Sequence, residues 1–324
     1  MKHQLFVHFN PKDRYLFASG GKDGKVLLNS ALTKKSIKGL SVASLNLTKR
    51  INGLAFVAGG EKLVVSSESR RMSLVDVERG EMFVFYENSV CSHSARQPVA
   101  THSDSPDLVA CVTVNGKGIT LFDLRMPLPL DFLVDLYDSS IGDLMFLDKS
   151  WPWGSGQVSL LSGGGDHNVK ITNFGGTTQL SLNTGMSVSA LAYSPGRFGA
   201  SNCRGYKSVI LAAGDFISCH EPSLEEVKPS ECFKNINGPV LRAKYSCSGG
   251  LLYTASERGS ICRFRRYPDR HEALEELYSH DGPVTDFDIS SYGEYIVSAS
   301  LDGFIGLYSL GGPSHGNTQC WELT

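Results

Sequence analysis

One phrase recurs seven times along the chain, and its spacing constrains the fold more than any other feature. Two or three β-branched or apolar residues lead into a small-residue pair, then a turn with Asp or Asn and Gly, then an alternating strand. The copies are YLFASGGKDGKVLLNS (15–30), KLVVSSESRRMSLVDV (62–77), LVACVTVNGKGITLFDLR (108–125), SLLSGGGDHNVKITNF (159–174), VILAAGDFISCH (209–220), LLYTASERGSICRFR (251–265) and YIVSASLDGFIGLYSL (295–310). With Asp23, Ser69, Asn115, Asp166, Asp215, Arg258 and Asp302 as turn markers, the spacings are 46, 46, 51, 49, 43 and 44 residues. That period suits four-stranded propeller blades and is too long for most helical or leucine-rich repeats.

Each copy follows another strand: LFVHF (5–9), INGLAFV (51–57), PVATHS (98–103), IGDLMFL (141–147), VSALAYS (188–194), PVLRAKYS (239–246) and PVTDFDIS (283–290). Period-two patterning with Gly-bearing turns fits hairpins rather than helices. A fourth strand follows most copies, as in EMFVFY (81–86) and LDFLVDL (130–136). The expectation is an all-β, seven-bladed β-propeller of four-stranded blades, spanning 1–324 as one domain. Its blades fall at about 1–46, 47–93, 94–138, 139–184, 185–235, 236–280 and 281–324. The 324 residues would suggest two domains on a prior of about 150 each, but propellers run longer as one unit. Radial closure leaves only short, protected edges, so 41% hydrophobic residues suffice for a core without helices.

These phrases resemble the WD-repeat family of β-propellers over nearly the whole chain. In that family the third strand ideally ends in Trp-Asp, and a His before the blade, a Ser on strand two, the turn Asp and the Trp form a hydrogen-bonded set. Here Leu28, Val75, Phe122, Thr172, Cys219, Phe264 and Tyr308 stand in the Trp position. Blade seven comes nearest to the pattern with His280, Ser298, Asp302 and Tyr308, for which the resemblance implies a structural polar network. Many such propellers lend an N-terminal strand to the last blade. This sequence opens directly on a first strand, so residues 318–324 are expected to supply the outer strand of blade seven.

Catalytic signatures fail on context. Residues 312–316 match G-x-S-x-G, but in a Gly/Pro linker rather than the strand-to-helix turn that exposes a nucleophile. A phosphate-binding G-x-x-x-x-G-K-[ST] is missing, because Leu16, Ser19 and Cys111 stand where its first Gly would be. The run Gly163-Gly164-Gly165 reads as a turn. No H-E-x-x-H is present, and the eight cysteines are scattered without C-x-x-C. The chain is therefore expected to be neither an enzyme nor a holder of a metal or cofactor. It shows no signal-peptide pattern and no stretch of about 18 apolar residues, so reduced thiols in the cytoplasm or nucleus are expected, with no membrane span.

The surface points to binding. Residues 1–100 hold 15 Lys+Arg against 8 Asp+Glu, 101–200 hold 5 against 9, and 201–324 hold 11 against 16. The net charges are thus +7, −4 and −5. Turns between strands two and three share a face with the interblade connections, which should bring Lys22, Lys25, Lys49, Arg50, Arg70 and Arg71 together. Such a face would attract acidic peptides, phosphates or nucleic acid. Arg258, Arg263, Phe264, Arg265, Arg266, Tyr267 and Arg270 form a smaller basic run with interleaved aromatics, opposed by Glu272, Glu275 and Glu276. Proteins or peptides, some of them acidic, are favoured as partners over nucleic acid.

On the opposite face, Arg125, Met126, Pro127 and Leu128 follow the third strand of blade three, and Trp151 and Trp153 lie between the first two strands of blade four. Trp and Arg are common interface anchors. Asp123-x-Arg125 also resembles the ending with which WD-repeat substrate receptors dock on cullin-RING ubiquitin ligase adaptors. The expected function is a noncatalytic interaction scaffold, with a ubiquitin-ligase substrate receptor and an RNA or phosphoinositide binder as alternatives.

Overall fold

The computed structural model describes residues 4–41, 50–87, 98–147, 158–194, 207–221, 229–310 and 321–322. They form seven four-stranded antiparallel sheets, each built from four consecutive strands and arranged as the blades of a propeller, with no helix among the described residues. The short hairpins follow from turn chemistry. Asp23, Asn115, Asp166 and Asp302 each accept the backbone N–H two residues on with Oδ1, at 2.9–3.1 Å. Gly24, Gly116 and Gly303 close three of these turns at φ of 71–94°, a conformation in which a Cβ is costly.

The innermost strands are Gln4–Phe9, Ile51–Phe56, Val99–Thr101, Ile141–Leu147, Ala190–Ser194, Val240–Tyr245 and Val284–Ile289. In five of them the register slips just after the first residue, before Phe6, Gly53, Asp143, Arg242 and Asp286. A bulge re-aims the residues beside it. Asp143, Arg242 and Asp286 thereby meet at the propeller axis.

The core lies between blades. The seven residues in the Trp position, Leu28, Val75, Phe122, Thr172, Cys219, Phe264 and Tyr308, are all buried. Phe122 is held edge-on by Phe85 and Tyr86 of blade two at 5.8 and 5.1 Å. Burying a ring or a large aliphatic side chain contributes roughly 1.5–3 kcal/mol, and six residue types fill this one structural role at the seven positions.

Two local expectations are revised. The fourth strand of blade three is only Asp131–Leu133, because Asp135 at φ 51° breaks the extended chain. Gly163 and Gly164 end the strand Ser159–Gly164 instead of forming a turn. A Cβ on Gly163 would lie 2.6 Å from Cγ1 of Val188 in blade five, so these glycines permit blade packing. The chain ends follow the topology inferred from the repeat: the strand at Trp321–Glu322 pairs with Ile305–Ser309 as the outer strand of blade seven, and Gln4–Phe9 is the inner strand of blade one.

Candidate functional site

Among the described residues, blade three carries the most exposed large apolar side chains. Its third strand, Ile119–Asp123, ends in a carboxylate that accepts the Arg125 backbone N–H at 2.9 Å and grips the guanidinium at 2.8 Å (Nε) and 2.5 Å (Nη2). Asp107 adds a contact at 3.5 Å. These hydrogen bonds from Arg125 hold the Asp123 carboxyl at a pKa of about 2, and the carboxylate in turn keeps the Arg125 guanidinium charged. The Arg125 side chain nevertheless stays 70% exposed. It is oriented and presented.

Beyond it, the bend at 126–130 and the short strand Asp131–Leu133 leave a run of apolar side chains exposed. Met126, Leu128, Leu130, Phe132 and Val134 are 56, 70, 47, 52 and 67% exposed, and Pro127 is exposed beside them. Phe83, on the outer strand of blade two, is exposed as well. Of these, Leu130, Phe132, Val134 and Phe83 were not singled out from sequence, although the period-two alternation from 126 to 134 carries the signal for the first three. Trp151 and Trp153 lie outside the described residues.

The basic face is partly neutralised. Arg50 faces Glu68 at 3.6 Å and Arg71 faces Glu87 at 3.2 Å, while Lys22, Lys25 and Arg70 are exposed at the hairpin turns. Lys49 lies outside the described residues. In the second basic run Arg263 pairs with Glu275, but Arg266 is no surface cation. It is 2% exposed, donates to Ser194 Oγ at 2.7 Å and to the Lys207 carbonyl, and lies over the Tyr245 ring. Strand alternation puts Arg266 on the inward face with Phe264.

In blade seven the four polar residues meet. His280 is 3.0 Å from Asp302 Oδ2 through Nδ1 and 2.7 Å from Ser298 Oγ through Nε2, and Ser298 Oγ lies 3.1 Å from the Tyr308 hydroxyl. Tyr308 fills the place of a Trp, and its hydroxyl joins the network. Residues 272–309, which contain this set, match the family described as WD domain, G-beta repeat. A matching repeat within a ring of seven four-stranded blades supports the WD-repeat family.

The chain is a seven-bladed β-propeller with a WD repeat at residues 272–309.

No curated protein matches it. WD-repeat propellers are typically noncatalytic interaction scaffolds, a class the fold supports here in general terms.

Other blades of this WD-repeat propeller keep fragments of the polar set. In blade four the Tyr137 hydroxyl bonds Ser162 Oγ at 2.8 Å, and in blade six Thr254 Oγ1 donates to Asn235 Oδ1 at 2.9 Å. Each fragment ties the approach to a blade to its second strand and satisfies groups that would be costly to bury unpaired.

The axis holds charges that sequence reading missed. Arg242 of blade six donates to Asp286 of blade seven at 2.9 Å and to Asp143 of blade four at 3.2 Å, and Lys244 pairs with Asp288. Beside them opens a cavity of about 280 Å³ walled partly by Ala55, Ala100 and Ala192. Burial raises the Asp143 and Asp286 carboxyls against the pull of Arg242. At Asp288 burial also acts upward, but Lys244 and His8 outweigh it and hold the carboxyl low. The residues involved lie 44 and 99 positions apart, so no local motif could reveal them.

Proposed function

We propose that this WD-repeat propeller is a noncatalytic scaffold that docks an extended apolar segment of a partner protein along the outer strand of blade three. The supporting observation is the run Met126, Leu128, Leu130, Phe132 and Val134, exposed in the bend after the third strand and around the short outer strand Asp131–Leu133 at the edge of that sheet. Contiguous apolar surface of this kind marks interaction sites on soluble proteins, and an open sheet edge adds backbone hydrogen bonds to a partner strand. The eight cysteines, scattered along the sequence without a C-x-x-C pair, favour an assembly in the cytoplasm or nucleus. On the opposite end of the blades, exposed Lys22, Lys25 and Arg70 favour an acidic partner.

The test is Leu128→Ser combined with Phe132→Ser. Stability should change by less than about 0.5 kcal/mol, because these side chains already face water, while capture of the scaffold's partners is lost. Unaltered capture by a folded double variant overturns the reading.

A second reading rests on Arg125, oriented by Asp123 yet 70% exposed. It makes the propeller a substrate receptor of a cullin-RING ubiquitin ligase. Copurification with the ligase adaptor that disappears in Arg125→Ala but survives the apolar double variant would favour it over the first.

A further inference from the structure

Where blades five and six pack, three side chains of different chemistry converge. Cys219 lies on Ile217–His220, and Glu231 stands directly opposite it on the neighbouring strand Pro229–Phe233, so the pleat puts both on one face. His271 opens the outer strand of blade six, His271–Ser279, and turns back toward blade five. Its Nδ1 is 2.7 Å from Glu231 Oε2 and 3.8 Å from Cys219 Sγ, and the three donor atoms all lie within 4.8 Å of one another. Ligand atoms around tetrahedral zinc, at bonds of about 2.0–2.3 Å, are roughly 3.3–3.7 Å apart. Shifts of about an ångström would complete that geometry.

The surroundings orient the donors. Glu231 Oε1 accepts the His271 backbone N–H at 2.8 Å, which leaves Oε2 aimed at the imidazole. The Tyr245 hydroxyl sits 3.0 Å from His271 Nε2 and can accept a proton there, leaving the Nδ1 lone pair for an ion. Phe233 stacks on the ring at 5.4 Å. Outer-shell contacts of this kind fix the tautomer and orientation of metal-binding histidines. The His271 side chain is 3% exposed and the Cys219 residue 1%, while Glu231 at 18% leaves a way in.

We propose that Cys219, Glu231 and His271 bind a borderline divalent cation, zinc(II) first among them, and that the ion clips blade five to blade six. A sulfur and an imidazole nitrogen in a set of three disfavour the hard cations magnesium and calcium. On binding, the thiol proton leaves to solvent, the ring proton moves to Nε2, and no electrons are exchanged. Thiolate and carboxylate then balance the ion's two charges, so the loaded site adds no net charge beside the Arg266 guanidinium. The ligands are 12 and 40 residues apart on different strands, so zinc-site spacing rules had nothing to detect. The clip does not depend on what docks at blade three.

The test uses the full chain, stripped with a chelator and titrated with cobalt(II). The expected result is one equivalent bound with a thiolate-to-cobalt charge-transfer band in the near ultraviolet, bleached by zinc(II). Cys219→Ser should lose the band, and Glu231→Gln should weaken binding at least tenfold while the remaining cysteines stay in place. Absence of the band in the unmodified chain overturns the proposal. So does a band of equal intensity in Cys219→Ser, which would place the ion on another cysteine. If Cys219→Ser does not fold, unchanged affinity in Glu231→Gln overturns it equally.

Discussion

Blades seven and one meet differently from blades two and three. At the first seam, carboxylates act as backbone acceptors: Asp286 Oδ2 takes the Val7 N–H at 3.1 Å and Asp288 Oδ2 the Phe9 N–H at 2.7 Å. Thr285 Oγ1 donates to the Leu5 carbonyl, Ser291 Oγ to the Pro11 carbonyl, and Arg14 pairs with Glu294 at 3.0 Å. At the second seam, among the described residues, Thr101 Oγ1 bonds the Phe56 carbonyl, Gly53 packs against Pro98, and an apolar cluster gathers around Val64, Met72, Val99 and Phe122. The difference follows the chain. Blades two and three are joined by a connection, whereas residues 279 apart must find each other to close the ring. Closing so long a loop is entropically costly, and side-chain bonds at the seam offset that cost.

The largest expected effect lies at that seam. Asp286→Ala removes the acceptor of Val7 N–H and one of the two carboxylates on buried Arg242. Breaking a buried ion pair on one side costs about 3–5 kcal/mol. Asp143→Ala is the matched control, since Asp143 also bonds Arg242 and accepts an interblade N–H, that of Leu191, at 2.7 Å. Its seam is spanned by the chain, so it should lose less. Urea midpoints measure both, and equal losses would show that the closing seam has no special weight.

The packed seam is tested by Gly53→Ala. A Cβ there would lie 2.7 Å from Cγ of Pro98 and 3.2 Å from its Cδ, in a ring with little freedom to yield. Overpacking costs about 1–3 kcal/mol, partly offset by the lower entropy of the unfolded Ala chain. A raised melting temperature would mean that the contact yields, and the contrast between the seams would narrow.

The contrast also marks how far the sequence can be read. Strand positions were legible wherever alternation and turns repeat, and the inner strand of blade four runs over Ile141–Leu147 as its pattern indicates. His280, Ser298, Asp302 and Tyr308 were legible because they lie in one repeat and their roles can be carried over from one template. The charges on the axis were not, since Asp143, Arg242 and Asp286 become neighbours only after bulges turn them inward and the ring brings three blades together. The zinc-type trio was hidden for the same reason, with ligands split between two blades. Arg266 and the row from Met126 to Val134 are a different case. Strand parity, applied to Arg263, Phe264 and Arg265, reaches Arg266 one residue later, and the alternation of apolar residues from Met126 to Val134 was there to be read in the sequence. There the physics was available and was stopped too soon.

The smallest effect is a pH dependence that again separates the seams. His8, beside the closing seam, lies 3.7 Å from Asp288. Burial lowers its pKa, Asp288 pulls it back up, Lys244 lowers it further, and Asp286 adds a weaker upward pull. Burial likewise lowers His220 in blade five and His271 in blade six, the latter against Glu231. A histidine depressed in the folded state stays neutral where the unfolded chain already binds a proton. Stability is therefore complete above the unfolded value of about 6.5 and falls as pH drops below it, by at most about 1.4 kcal/mol per pH unit for each ring. The raised carboxyls Asp143 and Asp286 act in the opposite sense, because the folded state takes up their protons first, while Asp288, held low, loses its contribution only below the ordinary carboxylate value. Unfolding midpoints between pH 7 and 5.5 should decline, and His8→Gln should decline less steeply, with the remaining slope belonging to blades five and six. If the two slopes coincide, His8 carries its proton in the folded state as well, and the closing seam is held by a cationic imidazole on Asp288 rather than by a neutral one.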